Sequence, residues 1–469
     1  MASTRGVGAV TLPTVGWLCE TLQASLPALD PETDLAPLSI DTRTLEPGSV
    51  FWALKAHGDG HEFVGDAFAR GAKAAVVHET WKASAAAVIR ERLIGVQDTG
   101  RDLKQAARAW RESFTFPVIG VTGTNGKTST KDLIRCALSV SASAAGTEGN
   151  LNNEIGVPLT LLGTRMDSGF AVIEMGASHR GDIRVLCDIC RPTHGLVTSI
   201  AKAHLEGFGN IETVARTKGE LYDFVADNGV AFVPTDDERC RTVSAACRRR
   251  IGYGFHPPAA GWGAEFHGAS NVTFDARGCA RFDFETVPVR LSVPGRPAAL
   301  AALAALTVAR HFGIPPSDCA DAIGQWKGIS GRASVESVGN ILLLDDSYNA
   351  NPDSMRAALE TLSLVSAKRK VAVLGDMNEL GATAEDEHRG LARQLPKYGI
   401  ALVLFVGRYA ALFTAAAQES GVESRAFADC EDVAGSLNSL LRPGDAVLVK
   451  ASRAVHLERV VEQLKKLFG

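Results

Sequence analysis

The segment from residue 117 to about residue 140 constrains the fold of this chain more than any other. An apolar run, Pro117-Val-Ile-Gly-Val-Thr122, predicts a β-strand, and the pattern from Ser129 to Val140 predicts an amphipathic helix. The strand leads directly into a glycine-rich turn, Thr122-Gly-Thr-Asn-Gly-Lys-Thr128. Glycines let the backbone approach a phosphate, and the N–H groups at the start of the helix face the anion. The segment therefore predicts a nucleotide-binding α/β domain.

Side chains of this loop suit a bound nucleotide as well as its backbone does. We expect Lys127 to reach the β- and γ-phosphates and the Thr128 hydroxyl to bind Mg²⁺. A strict GxxxxGK[ST] motif would need glycine at position 121, where the chain has Val121, but the strand–turn–helix context is intact. That context disfavours a glycine-rich turn without a ligand. The predicted nucleotide-binding residues of the loop are Gly123, Thr124, Asn125, Gly126, Lys127, Thr128 and Ser129.

Apolar runs and helical stretches alternate along all 469 residues, which is too long a chain for a single core. Parallel strands need crossover helices, so this alternation predicts an α/β protein with mostly parallel sheets. We expect three domains: a smaller N-terminal α/β domain, a central P-loop-type domain and a C-terminal Rossmann-like domain. Their predicted bounds are residues 1–112, 113–327 and 328–469. The Ala-rich segment Ala298–Ala309 predicts a buried helix.

Composition narrows the function classes. The formal net charge of −4 gives no bulk attraction to nucleic acid, and we expect no nucleic-acid partner. The N-terminal residues lack the apolar core of a signal peptide, and no run of about 18 apolar residues could span a membrane. The nine cysteines do not suggest a disulfide framework, so we expect a cytoplasmic protein. Cys187 and Cys190 form a CxxC, but small buried cysteines of a helix explain them better than zinc.

The loop resembles that of the Mur ligases and their folylpolyglutamate synthase relatives, and further motifs follow in the family's order along the whole chain. Three stretches resemble the dipeptide-adding, MurF-type branch in particular: Asp345-Asp-Ser-Tyr-Asn-Ala-Asn-Pro352, Leu374-Gly-Asp-Met-Asn-Glu-Leu-Gly381 and Gly444-Asp-Ala-Val-Leu-Val-Lys450. The other matching stretches begin at Asp41, Asp59, Gly149, Glu174, Ala203 and Lys218.

This resemblance implies an ATP-dependent ligase that adds D-alanyl-D-alanine to UDP-N-acetylmuramoyl-tripeptide through an acyl phosphate. It implies catalytic roles for Lys127, Glu174, His204 and Lys218. The implied cofactors are ATP and two Mg²⁺ ions, with Thr128, Glu174, His204 and a carbamylated Lys218 at the metal site. By themselves, Lys218 would be a surface lysine and His204 a loop or core histidine. We expect a monomer.

The remaining site predictions also follow the resemblance. Substrate-binding candidates are Thr42, Arg43, Asn150, Asn152 and Asn153. Candidates in the third domain that complete the nucleotide site are Arg332, Asp346, Tyr348 and Asn349, with Asn351 beside them. Asparagines are common in loops for reasons of turn chemistry alone, which is the competing interpretation.

One motif departs from the family. Where the family reads Gly-Arg-His-Asn-x-x-Asn, the chain has Gly295-Arg-Pro-Ala-Ala-Leu-Ala301, so Pro297, Ala298 and Ala301 replace the histidine and both asparagines. Proline suits a first helical turn and alanine favours helix, so the helix should form. We expect weaker discrimination of adenine than the family norm. Two alternatives stay open: another amino-acid ligase of the superfamily, and a catalytically impaired nucleotide-binding regulator.

Overall fold

A computed structural model describes residues 11–55, 58–203, 205–258 and 262–469 of the chain. Helices and strands alternate along these ranges and form three sheets, which confirms the predicted α/β class. No helix within them is long and apolar enough to cross a membrane. The chain divides into two compact units: one contains the part up to Val121 with Ala142–Ala177 and Gly181–Gly195, and the other contains Thr122–Ser141, Ser178–Arg180 and Leu196–Gly469.

The first sheet has four parallel strands in the order β1-β2-β3-β4. Its elements are β1 (Leu38–Ser39), β2 (Val50–Trp52), β3 (Ala74–His78), β4 (Leu93–Val96), α1 (Val15–Leu22), α2 (Val64–Ala69), α3 (Glu79–Ser84), α4 (Ala87–Arg90) and α5 (Thr99–Glu112). Phe51, Ala75 and Val77 pack with Val64 and Ala67 of α2, so one face of the sheet is a buried apolar core.

The second sheet has nine strands in the order β13-β12-β11-β10-β9-β8-β5-β7-β6. Its strands are β5 (Val118–Thr122), β6 (Ala144–Gly146), β7 (Phe170–Glu174), β8 (His194–Val197), β9 (Val230–Pro234), β10 (Arg250–Gly254), β11 (Glu265–Phe274), β12 (Cys279–Phe284) and β13 (Val287–Pro294). The helices of this region are α6 (Lys127–Leu138), α7 (Gly156–Leu162), α8 (Asp182–Cys190), α9 (Leu205–Phe208), α10 (Ile211–Val225), α11 (Glu238–Val243), α12 (Arg296–His311) and α13 (Pro316–Gln325).

Strand direction in the second sheet determines where the phosphate loop and Glu174 lie. β5 and β7 run parallel, and both β11–β12 and β12–β13 are antiparallel. Ligands of open parallel sheets bind beyond the carboxyl ends of the strands. The phosphate loop follows β5 and Glu174 ends β7, so both stand at carboxyl ends of parallel strands.

The third sheet has six strands in the order β14-β15-β19-β16-β17-β18, and only the β14–β15 pair is antiparallel. Its elements are β14 (Ser334–Val338), β15 (Ile341–Asp345), β16 (Arg369–Gly375), β17 (Leu402–Val406), β18 (Glu423–Phe427), β19 (Asp445–Lys450), α14 (Pro352–Leu364), α15 (Ala384–Ala392), α16 (Ala410–Glu419), α17 (Cys430–Leu440) and α18 (Glu458–Phe468). Short 3₁₀ segments lie at Gly60–Phe63, Gly381–Thr383, Leu395–Tyr398 and Arg453–Val455.

Both faces of the third sheet are covered. In β19, Ala446 and Leu448 pack with α14, α15 and α16, whereas Val447 and Val449 pack with α17 and α18. A strand buried on both faces favours apolar residues on both, which explains the continuous apolar run between the charged ends of β19, Asp445 and Lys450. The predicted open α/β sheet is therefore present.

Predicted and observed strands agree closely. The apolar runs at residues 341–345 and 445–450 predict strands, and β15 and β19 have these bounds. The helix after the loop was predicted to begin at Ser129 and begins at Lys127 instead. Lys127 and Thr128 of the loop motif already belong to the helix, and four residues separate it from β5. The predicted buried helix is α12, whose residues Ala298, Ala299 and Ala301 to Ala309 are all buried. The proposed domain bounds at residues 112 and 327 stay predictions.

Candidate functional site

The phosphate loop has the backbone that an anion site needs. Gly126 precedes α6 with φ of 78°, and Gly123 has φ of 137°, both in the region that favours glycine. A Cβ at Gly123 would collide with the hydroxyl of Thr198. The N–H groups of the first turn of α6 have no intrahelical acceptor, so they are suited to a phosphate.

Residues 198–201, which follow β8, hold the loop in this shape. The Thr124 N–H donates to the Ser199 carbonyl at 2.8 Å, and the Ala201 N–H donates to the Thr124 hydroxyl at 3.1 Å. The Thr198 hydroxyl donates to the Asn125 carbonyl at 2.6 Å. Backbone and hydroxyl hydrogen bonds thus fix the loop, and a preorganised loop lowers the entropic cost of binding.

Within the loop, the ammonium of Lys127 lies across the turn. Its Nζ donates to the carbonyls of Gly123 at 2.9 Å and Thr124 at 3.2 Å. Thr128 is buried in the first turn of α6, and Ser129 follows it half-buried. All seven predicted loop residues therefore lie together at one carboxyl end of a strand.

Glu174 has the surroundings of a cation ligand. Its side chain is buried, its N–H donates to the Thr147 hydroxyl at 2.9 Å, and its Oε1 accepts from the Asn152 amide at 2.8 Å. Among the described residues, nothing hydrogen-bonds to its other oxygen, Oε2, although that atom is buried. A buried carboxylate oxygen without a partner is costly, and a hard cation such as Mg²⁺ would satisfy it. Glu174 therefore fits the predicted metal site, and Asn152 positions it.

The other two predicted metal-site residues differ in what can be said of them. Lys218 lies on α10 and is 2% exposed, with its Nζ 5.7 Å from the centroid of the Phe208 ring. It is therefore not the surface lysine that its sequence alone would suggest. His204 lies outside the described residues. Within the ranges that the structure describes, no group of three or more His, Cys, Asp and Glu residues converges as a metal site.

A second polar cluster lies at the carboxyl ends of β15 and β19. Lys450 Nζ is 2.6 Å from a carboxylate oxygen of Asp346, and it also donates to the Asn349 carbonyl at 2.9 Å. Burial raises the pKa of Asp346, and the ammonium of Lys450 opposes that rise. The Arg332 guanidinium lies 3.9 Å from the centroid of the Tyr348 ring. Lys450 therefore holds Asp346 and Asn349 together, and Arg332 packs on Tyr348. The Ala333 N–H, next to Arg332, donates to Asp346, so the four predicted third-domain residues lie close together.

Asn351 connects the phosphate loop to the third sheet. Its amide donates to Asn125 Oδ1 at 2.7 Å, and Asn125 donates back at 3.4 Å. Asn351 also accepts from the Ser354 N–H at 2.9 Å and so caps α14.

An ion network that the sequence did not reveal lies nearby. Lys202 Nζ is 2.9 Å from Glu387, and the guanidinium of Arg356 is 2.8 Å from the same carboxylate and 2.9 Å from Asp353. Lys202 follows the residues that hold the loop, whereas its partners lie on α14 and α15. These residues carry no motif and stand far apart in the chain, so only the fold brings them together.

A cavity of about 660 Å³ opens beside the loop. The loop contributes Asn125 and Gly126, α12 contributes Arg296, Pro297, Leu300 and Ala301, and α14 contributes Asp353, Ala357 and Glu360. Pro297 and Ala301 thus face a cavity next to the loop, at two of the three positions where the family has polar residues. The third, Ala298, is buried and does not line it.

The predicted substrate residues are not all alike. Arg43 is exposed and pairs with Asp41 at 2.6 Å, and its hydrogen bonds lower the pKa of Asp41 to about 2. Thr42 is buried and Asn150 is exposed. Asn153 accepts from the N–H groups of Ile155 and Gly156, at 3.1 Å and 2.9 Å, so turn chemistry occupies its carbonyl. That observation favours the competing interpretation for Asn153.

A smaller cavity of about 300 Å³ lies in the first sheet's region, lined by Lys55, Asp59, His61, His78, Thr80, Trp81 and Ser84. His61 is buried, its Nδ1 lies 2.5 Å from Asp59, and its Nε2 accepts from the His78 N–H at 2.8 Å. These contacts fix the tautomer with the proton on Nδ1.

The pair of cysteines at 187 and 190 is buried on α8, as predicted, and burial raises the pKa of Cys190 to about 12.

Comparisons with known proteins identify the family of this chain. The Mur ligase middle domain matches residues 121–309, and the Mur ligase glutamate ligase domain matches residues 331–453. The UDP-N-acetylmuramoyl-tripeptide–D-alanyl-D-alanine ligase of Escherichia coli is 35% identical over 461 residues, covering 97% of this chain and 98% of the relative. That of Bacillus subtilis is 31% identical and covers 92% of this chain and 94% of the relative.

Solved structures give the same result. MurF from Acinetobacter baumannii is 30% identical, with a TM-score of 0.84 and coverage of 97% of this chain and 99% of that one. MurF from Thermotoga maritima in complex with ADP is 29% identical, with a TM-score of 0.75 and coverage of 92% and 97%. The two family domains and relatives that cover more than nine tenths of the chain agree, and the chain therefore belongs to the Mur ligase family, in its MurF branch.

Proposed function

We propose that this chain is an ATP-dependent ligase that joins D-alanyl-D-alanine to the peptide of UDP-N-acetylmuramoyl-tripeptide in the synthesis of peptidoglycan precursors. The observation that carries the proposal is the formed phosphate loop, which opens on a cavity shared with α14 of the third sheet. Relatives that carry this activity in their names match over almost the whole chain. We propose a monomer in the cytoplasm, where nucleotide-linked precursors are made, and light scattering measures the oligomeric state.

Two steps make up the reaction. First, a terminal carboxylate oxygen of the tripeptide attacks the γ-phosphorus of ATP; a P–O bond forms, the bond to ADP breaks, and an acyl phosphate results. Second, the free amine of the dipeptide attacks the acyl carbon and an amide C–N bond forms. The C–O bond to the phosphate breaks, inorganic phosphate leaves, and the attacking nitrogen loses one proton. The first step brings two anions together, so positioning and positive charge dominate its catalysis.

Loop residues supply that charge. The first-turn N–H groups of α6 and the ammonium of Lys127 hold the β- and γ-phosphates and stabilise the charge that develops during transfer. Thr128, Glu174 and His204 are the proposed ligands of Mg²⁺, which when bound neutralises phosphate charge. Asn152 orients Glu174 through their 2.8 Å hydrogen bond.

Lys218 is proposed to be carbamylated, because a buried lysine gains a negative, metal-binding group by that reaction. Its Nζ attacks CO₂, a C–N bond forms, and one proton is released. Protein exchanged into ¹³C-bicarbonate should show one carbamate carbon by NMR, and Lys218→Arg, which keeps a cation, should show none and be inactive. Full activity without carbamate would contradict this role.

Oxygen labelling tests the reaction path. If the terminal carboxylate of the tripeptide carries ¹⁸O, one labelled oxygen should appear in the released phosphate, because the acyl phosphate gives up that oxygen. Unlabelled phosphate would rule out the acyl-phosphate path. The impaired-regulator alternative predicts nucleotide binding without any phosphate release, and the alternative of another ligase predicts release with a different amine.

A further inference from the structure

The cavity beside the phosphate loop has an apolar wall where a nucleotide's base would lie. Phosphates at Asn125 and Gly126 leave the rest of the cavity for the sugar and base, because these two residues are the loop's whole contribution to the lining. On α12, Pro297, Leu300 and Ala301 face this cavity, and Ala357 of α14 also lines it. None of these four side chains carries a hydrogen-bonding group.

An aromatic–arginine pair stands at the same wall. The guanidinium carbon of Arg296 is 4.5 Å from the centroid of the Phe255 ring, and both residues line the cavity. Arg296 begins α12 and Phe255 directly follows β10, so two regular elements fix their positions. Flat rings and guanidinium planes bind a base by stacking, whatever groups the base carries on its edge.

The carboxylate and amide side chains that line the cavity are already engaged with protein groups. Asp236 accepts from the Phe255 N–H at 2.7 Å and lies 3.1 Å from His256 Nδ1. Asp237 accepts from the Ile200 N–H at 2.9 Å and caps α11. The amide of Asn125 is paired with Asn351.

The remaining acidic residues are engaged in the same way. Asp353 pairs with Arg356 at 2.9 Å, and Glu360 lies 4.0 Å from Arg296. These carboxylates hold the walls of the cavity in place. A group that is committed to the protein discriminates poorly between two bases, because binding the base would break its existing contact.

From this geometry we infer that the site takes purine nucleoside triphosphates as a class, with the base stacked on the Phe255–Arg296 pair, and accepts guanine as well as adenine. The inference rests on the proposed function, since it assumes phosphates at the loop. Adenine and guanine differ in the groups at their 2- and 6-positions, and only a site that hydrogen-bonds those groups separates them by large factors. An apolar, stacking site separates them weakly.

Equilibrium binding by calorimetry tests this without turnover, with MgADP and MgGDP as probes. Wild-type protein should bind both with dissociation constants within about tenfold of each other. Phe255→Ala should weaken both by about 5- to 150-fold, the range for loss of one base–aromatic stack. Phe255→Leu, which keeps apolar bulk without the ring, checks that the loss is of stacking and not of folding.

Trp262 offers a matched control. Arg250 lies 4.7 Å from its ring centroid, so Trp262→Ala removes an aromatic–arginine contact of the same kind that does not line the cavity. This variant should bind both nucleotides within about twofold of wild type. MgGDP binding more than about tenfold weaker than MgADP, or equal binding by Phe255→Ala and wild type, would overturn the inference.

The same experiment separates this inference from the proposed function. A protein that releases phosphate from ATP in ligation but excludes MgGDP keeps its function and loses the stacking inference. A protein that binds neither nucleotide and releases no phosphate loses both.

Discussion

Glu174 is the residue whose surroundings the fold alone does not explain. Asn152 donates to one oxygen of its carboxylate, and Thr147 accepts from its backbone N–H. The other carboxylate oxygen is buried and has no hydrogen-bond partner among the described residues. Leaving a buried acceptor unsatisfied costs about 1–3 kcal/mol. A residue of this kind persists when a ligand satisfies it in the working enzyme, which is the role proposed for Glu174.

Glu174→Gln should keep the hydrogen bond from Asn152 and remove the negative charge. We expect the unfolding free energy to change by less than about 1 kcal/mol, because the shape and one acceptor are retained. Phosphate release should fall by about 10²- to 10³-fold, and the Mg²⁺ concentration for half-maximal rate should rise. Glu112→Gln, at an exposed site on α5, is the control; equal Mg²⁺ dependence in both variants would count against Glu174 as a ligand.

His388 is a second residue that gives a testable prediction, here for the pH dependence of the unfolding free energy. It is fully buried, accepts from the Met377 N–H at 2.9 Å and contacts Tyr409 with ring centroids 4.3 Å apart. Burial lowers its pKa below the ordinary value of 6.5, so the folded protein keeps it neutral. The unfolded chain takes up a proton below pH 6.5 that the folded chain resists.

The wild-type unfolding free energy should therefore be complete above pH 6.5 and decline as the pH falls through the lower, folded pKa of His388. His388→Gln cannot titrate and should lose this part of the pH dependence, at a cost of about 1 kcal/mol at pH 8 from the lost ring contact. Urea unfolding between pH 5 and pH 8 measures both. Identical slopes in the two proteins would show that His388 is not the group responsible.

At the scale of elements, the start of α14 serves two purposes. Asn351 caps the helix through Ser354 and pairs with Asn125 of the phosphate loop. Serine is as good a cap as asparagine, whereas alanine is not. The two roles can therefore be separated by substitution.

Asn351→Ser should keep the unfolding free energy within about 0.5 kcal/mol of wild type, and Asn351→Ala should lower it by about 1 kcal/mol. Both variants lose the amide pair and should bind MgADP about 2- to 10-fold more weakly, the worth of one hydrogen bond. Calorimetry and urea unfolding give the two readouts. Wild-type affinity in the serine variant would mean that Asn351 acts on the helix alone.

Helices and strands that depend on local sequence were predictable, and contacts between residues far apart in the sequence were not. Apolar runs and glycines within one short segment predict the strand, turn and helix around Lys127. Unbroken apolar stretches likewise predict the buried strands of the third sheet. Asp345, Asp346 and Tyr348 were found because a family motif groups them. Lys202 and Glu387 meet only because α15 packs near the loop's supporting segment, and no local pattern signals that meeting.

The burial of individual polar side chains could not be predicted from the sequence either. Lys218 and Thr42 look like ordinary polar residues in the chain, and the fold buries both. Asn153 shows the opposite case, since a motif suggested substrate binding and local turn chemistry accounts for its contacts. Periodicity reports which face of a helix is apolar, but it does not report which polar residue is enclosed by neighbouring elements.

At the scale of the whole molecule, the network of Lys202, Arg356, Asp353 and Glu387 joins parts of the chain that lie far apart in sequence. Burial alone would raise the pKa of Glu387, but hydrogen bonds and charges from Lys202 and Arg356 outweigh it and hold that pKa below 4.5. The stabilisation is therefore fully present above pH 4.5 and is lost as the pH falls through the lower, folded value.

Glu387→Gln should lower the unfolding free energy by about 1–3 kcal/mol at pH 7, since it leaves two cations with a weaker partner. The difference from wild type should shrink as the pH falls below 4.5, where the wild-type carboxylate becomes protonated. Asp167→Asn breaks an exposed pair with Arg165 and should cost less than about 1 kcal/mol. A Glu387→Gln effect no larger than that of the control would show that the network is only a surface feature.

The central claim is that this chain joins a dipeptide to a nucleotide-linked tripeptide with ATP. The most direct measurement is phosphate release and product mass with purified protein, Mg²⁺, ATP and UDP-N-acetylmuramoyl-tripeptide, with D-alanyl-D-alanine or single D-alanine as the amine. We predict phosphate release that requires every substrate, and a product heavier by the dipeptide less one water. Release with D-alanine alone, or nucleotide binding with no release in any combination, would contradict the claim.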